Sequence, residues 1–122
     1  YSISAIFNYI RYNSMQSIYN FDIDTPKELL AILAGNLQKR RLEKGLSREA
    51  LTELSGVSTS TIAKFEQKHT ISLASYVALA KALGYTQAVK ELLSEPLYNT
   101  MEELEVINKN KNRKKGRNEI SK

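Results

Sequence analysis

The sequence predicts an all-α protein: a five-helix bundle with a flexible N-terminal extension and a basic C-terminal tail. Three observations carry this expectation. Hydroxyl residues stand before apolar runs at Thr25, Ser47, Ser58, Ser72 and Thr86, where a side-chain oxygen can satisfy the free N–H groups of a helix start. Glycines follow those runs at Gly45, Gly56 and Gly84, where a left-handed residue closes a helix. Between caps and glycines the apolar residues recur at helical spacing.

Each element follows from these signals. Asp24-Thr25-Pro26-Lys27-Glu28 combines a cap, a proline at the first helical position and a capping-box glutamate. The first helix should run to about Lys44, with Leu30, Leu33, Ala34 and Leu37 facing inward and Leu42 near its end. The second begins after Ser47, buries Ala50, Leu51 and Leu54, and stops at Gly56. Val57 plugs the corner. Ser58 caps a third helix, Thr59 to Gln67, that buries Ile62 and Phe65. Ser72 caps a fourth, Leu73 to Leu83, with Tyr76, Val77, Leu79, Ala80 and Leu83 at helical spacing. A fifth, Gln87 to Leu93, ends before Pro96, and a second capping box at Thr100 and Glu103 predicts a short helix to about Asn108.

Domain boundaries are drawn at 1–24 for the extension, 25–95 for the helical domain, and 96–122 for the short helix and disordered tail. Residues 1–21 hold six of the ten aromatics and no acid, and the alternation from Ser17 to Ile23 allows a short strand. Met15 reads as a plausible natural start, so residues 1–14 are expected to be an extension.

The net charge of +5 is unevenly placed. Lys109 to Lys122 contains seven Lys/Arg and one Glu, whereas the preceding residues carry 11 basic and 12 acidic groups. The tail is therefore a site of attraction to polyanions, of which nucleic acid is the commonest in a cytosol. The absence of cysteine excludes disulfides and thiolate metal sites. His69 is the one histidine. It reads as a turn residue, so no metal or cofactor is expected, and a Cys/His or Ser/His nucleophile has almost no support. No apolar run reaches membrane-spanning length, and no signal peptide is expected. The expected location is cytoplasmic.

The corner between the second and third helices carries the functional expectation. A reversal at Gly56 lets one helix brace the next from behind. The braced helix then stands out from the body and matches a major groove about 12 Å wide. Ile62 and Phe65 point inward, leaving Thr59, Ser60, Ala63, Lys64 and Gln67 outward. Thr59, Ser60 and Lys64 are the expected base contacts, because hydroxyls and a lysine can bond base edges. Arg48, Lys68, Arg40 and Ser58 are the expected phosphate contacts.

RRLEKGLS (Arg40–Ser47), the Gly56 corner and SLASYVALAKALG (Ser72–Gly84) resemble the lambda-repressor-like, or Xre-type, helix-turn-helix domain of the Cro/CI class. The resemblance implies that Thr59, Ser60 and Lys64 read bases in double-stranded operator DNA, and that Arg48 stands where a phosphate-binding glutamine is usual. It also implies an interior ion pair of Arg41 with Glu66, and that Thr52 replaces an alanine where two helices cross, which would hold them slightly wider apart. A narrower resemblance, of Glu91 to Arg117, to HipB-like antitoxin regulators implies a dimeric autorepressor partnered with a HipA-like kinase toxin. A phage-type repressor and a protein-interaction module without DNA binding are the alternatives.

Overall fold

The structure, a computed structural model, describes residues 24–117. The strand expected from Ser17 to Ile23, the extension before Asp24 and the last five tail residues lie outside the described residues. The described part is helical, in six segments. They are α1 (Pro26–Glu43), α2 (Arg48–Ser55), α3 (Thr59–Lys68), α4 (Leu73–Ala82), α5 (Thr86–Glu91) and α6 (Met101–Asn110). The chain divides after Gly84 into two units, so α1–α4 form one and α5–α6 belong to the other.

Helix starts in the first unit are set by side chains. Thr25 accepts from the Glu28 amide, Ser47 from Ala50, Ser58 from Thr61 and Ser72 from Ser75. Each such cap contributes about 1 kcal/mol relative to alanine. Helix ends are set by left-handed residues. Gly45 has φ of 71°, Gly56 of 77° and Gly84 of 93°, and His69 closes α3 at 64° with its amide on the Phe65 carbonyl. The His69 turn thus uses a non-glycine residue in a region that costs side chains strain.

The core of this unit is small. Phe65, Leu51, Ile62 and Leu79 are fully buried, with Ala34, Leu37, Val57 and Leu83 around them. Tyr76 lies edge-on to Phe65, ring centroids 5.6 Å apart at 76°, a favoured aromatic arrangement. Helix α3 touches both α1 and α2, and α2 also meets α4.

Four expected core positions are exposed, three of them on α1. Leu30 and Leu33 sit on the N-terminal half of α1, and Leu42 near its end is 56% exposed. Length accounts for the first two: at 1.5 Å per residue α1 is about 27 Å long and α2–α4 only about 12–15 Å, so its buried residues cluster at Ala34, Leu37 and Arg41. Leu42 follows buried Arg41 but lies about 100° round the helix from it, off the covered stripe. Leu54, read as buried, is 61% exposed. In a two-turn helix the covered stripe narrows to Leu51.

The second unit departs from expectation at α5. Thr86 does not cap it. The helix begins at Thr86 itself, after Tyr85 and without a side-chain cap, and ends at Glu91 before a left-handed Leu93. Helix α6 does start on its capping box, with Thr100 accepting from the Glu103 amide. The Glu103 carboxylate reaches back to the Asn99 amide at 2.8 Å. Among the described residues, no helix is long and apolar enough to cross a membrane.

Gly56→Ala should lower stability by about 1–2 kcal/mol, and Gly56→Asn by less, in urea denaturation. A Cβ at Gly56 meets nothing within 4 Å, so the loss is conformational rather than steric. Burial raises the Tyr76 phenol above its ordinary value of 10.0. The unfolded chain therefore releases that proton first. The contribution is intact below about pH 10 and is lost as pH rises through the folded value. Tyr76→Phe should flatten the alkaline limb of the stability curve relative to the parent protein.

Candidate nucleic-acid interface

The α2–α3 corner is closed by three short bonds. The Gly56 amide donates to the Thr52 carbonyl at 2.8 Å. Ser55 Oγ donates to the Leu51 carbonyl at 2.7 Å and accepts from the Val57 amide at 3.1 Å. Val57 is buried beneath them. The hydroxyls of Thr52 and Thr59 lie 3.0 Å apart, so Thr52 joins the two helices through a side-chain hydrogen bond.

On α3 the burial alternates as a braced helix requires. Ile62 and Phe65 are buried, Thr59, Thr61 and Ala63 are half-buried, and Ser60, Lys64, Gln67 and Lys68 are exposed. Thr59, expected among the base contacts, already bonds Thr52 through its hydroxyl. Ser58 Oγ donates to Thr61 Oγ1 at 2.7 Å and lies 3.2 Å from Ser60 Oγ. The N-terminal turn of α3 is thus a preformed row of hydroxyls.

The acid of α3 is turned inward. Glu66 has a side chain 1% exposed and accepts a bidentate pair from Arg41, Nε to Oε2 at 2.8 Å and Nη2 to Oε1 at 2.9 Å. Arg41 Nη1 donates to the Leu46 carbonyl at 2.8 Å. Charge-assisted bonds of this paired geometry are the strong ones. A third member joins. Arg48 donates Nε and Nη2 to Glu66 Oε1 at 3.3 and 3.2 Å. One carboxylate therefore lies against two guanidinium groups, leaving net positive charge on the inner side of α3.

The expected phosphate contacts are dispersed. Arg48 is engaged with Glu66 while its side chain stays 30% exposed. Arg40 Nε lies 3.0 Å from Glu43 Oε1 within α1, at an angle that makes no hydrogen bond. Ser58 is occupied as the α3 cap. Lys68 stands exposed at the end of α3.

Residues not singled out in the sequence adjoin Lys64. Thr61 and Lys64 line an open groove of about 430 Å³ with Thr70, Ile71, Ser72 and Ser75. Thr61 and Lys64 are three apart and so share a face of α3, a signal available in the sequence. The approach of the Thr70–Ser75 segment is a tertiary contact and left no such trace.

A buttressing helix, a glycine corner and an outward helix free of acidic groups on its exposed face define a helix-turn-helix module. Consistent with that geometry, residues 37–86 match the family model described as helix-turn-helix. The match begins inside α1, spans α2–α4 and reaches the first residue of α5. It supports a DNA-binding regulator and an all-α, lambda-repressor-like fold. No curated protein and no solved structure gives a significant match to the chain.

Removing the central acid should be costly. Glu66→Ala leaves Arg41 buried without its partner, and urea denaturation should show a loss of about 3–5 kcal/mol. Arg48→Gln, at the wetter edge of the cluster, should cost about 1 kcal/mol or less.

Proposed function

We propose that the protein is a sequence-specific, DNA-binding transcriptional repressor of the Xre type, working in the cytoplasm. The observation that carries this reading is the division of α3. Its acid is folded back onto two arginines, while Ser60, Lys64 and Gln67 stay exposed. A helix presented to DNA needs this arrangement, because a carboxylate on the outer face would meet phosphates at close range.

In this reading α3 enters the major groove. Thr59, Ser60 and Lys64 address base edges, the lysine reaching guanine O6 or N7. Lys68, Arg48, Arg40 and Ser58 hold the backbone. Arg48 acts through the Nη1 group that its bonds to Glu66 leave over. Two copies bind a near-palindromic operator, their reading helices about 34 Å apart.

The narrower role, an antitoxin that represses its own operon and engages a HipA-like kinase toxin, is supported by the resemblance of Glu91 to Arg117 alone. A kinase gene beside this one would favour it. An integrase or a divergent Cro-like gene would favour a phage-type repressor.

Selection from a pool of random duplexes tests the reading. A recurring two-half-site sequence should emerge. Lys64→Ala should then weaken binding to that sequence by about 1–3 kcal/mol and weaken random duplex much less. Failure of any sequence to enrich would overturn the proposal and favour an interaction module.

A further inference from the structure

We infer that the basic turn after α6 is a second duplex-binding site, one that grips the sugar–phosphate backbone without reading sequence. The proposal rests on the DNA-binding reading and deepens it. It concerns the second unit alone.

The turn is built rather than merely charged. Six of the nine residues from Lys109 to Arg117 are Lys or Arg, and none is acidic. Arg113 shapes the loop. Its amide donates to the Asn110 carbonyl at 2.9 Å, its Nη1 to Asn110 Oδ1 at 3.4 Å and its Nε to the Lys115 carbonyl at 3.3 Å. These bonds fold the chain around an open groove of about 420 Å³ lined by Asn110, Arg113, Lys114, Lys115, Gly116 and Arg117. One arginine is used as a strut, and Lys114, Lys115 and Arg117 are left exposed around the hollow.

Helix-dipole compensation accounts for only part of this charge. Lys109, in the last turn of α6, is placed to offset the free carbonyls there. That effect fades within one turn, and Lys114, Lys115 and Arg117 lie beyond it. The chemistry also selects among polyanions. Single-stranded nucleic acid is held largely by stacking on aromatic side chains, and none follows Tyr98 in the chain. Lysine, arginine and asparagine around a hollow instead suit paired phosphates, to which they donate without base preference.

The test uses the full chain with Lys114→Gln, Lys115→Gln and Arg117→Gln combined, against a random-sequence duplex over a range of salt. The logarithm of affinity falls by about 0.9 per phosphate for each decade of salt. The triple variant should therefore show a slope shallower by about 2–3. Its melting temperature and its ratio of selected to random affinity should be unchanged. An unchanged slope would overturn the inference. So would an unchanged duplex slope with lost binding to polyglutamate, which would assign the turn to an acidic protein. Lys64→Ala serves as the control. It should lower the selected-to-random ratio and leave the slope within about one unit. If instead that ratio holds, the base-reading role of α3 fails while the result at the turn stands.

Discussion

One buried carboxylate organises the first unit. Glu66 belongs to α3, yet its oxygens are held by Arg41 from α1 and Arg48 from α2. A lone ion of this burial would cost several kcal/mol. With a bidentate partner and the Leu46 carbonyl completing Arg41, the cluster is satisfied and positions three helices at once. Such pairs often add little net stability over an apolar filling. What this one supplies is orientation. It sets the rotation of α3 about its axis, and that rotation decides which residues face solvent.

The corner and the ion cluster act on the same helix from opposite ends. Gly56, Val57 and the Thr52–Thr59 bond fix where α3 begins. Glu66 fixes its last turn, and Ile62 and Phe65 seal the stretch between. With both ends determined, Ser60 and Lys64 stand on a braced helix, so in the proposed reading little ordering cost remains for binding. The second guanidinium gives the cluster a further property. Arg48 is partly exposed, so the same side chain that neutralises the interior acid brings positive charge to the surface near the start of α2.

Much of this was legible before any coordinates, because helix ends are encoded locally. Cap hydroxyls and left-handed glycines act on neighbours within four residues, and Ser47, Ser58, Ser72, Gly45, Gly56 and Gly84 behave as their positions imply. Burial was less legible, because it depends on what stands opposite. The leucines at 30, 33, 42 and 54 find no cover among the described residues: α1 outruns its partners at Leu30 and Leu33, Leu42 lies off the stripe that buries Arg41, and α2 is only two turns long. Partner choice was the least legible. Arg48 carries the same charge whether it faces solvent or Glu66, and only the approach of α2 to α3 shows that it faces Glu66. The groove beside Lys64 is hidden for the same reason, being made by residues six to eleven positions away from it in the chain.

Amide chemical shifts of the labelled protein, titrated with a duplex selected from a random pool, address the orientation of α3 most directly. The largest changes should fall at Ser58 to Lys68 and at Arg48, with the buried Ala34, Leu37 and Leu79 left in place. Shifts confined to the second unit, with Ser60 and Lys64 unmoved under saturating duplex, would contradict the claim that the inward turn of Glu66 frees this helix to meet DNA.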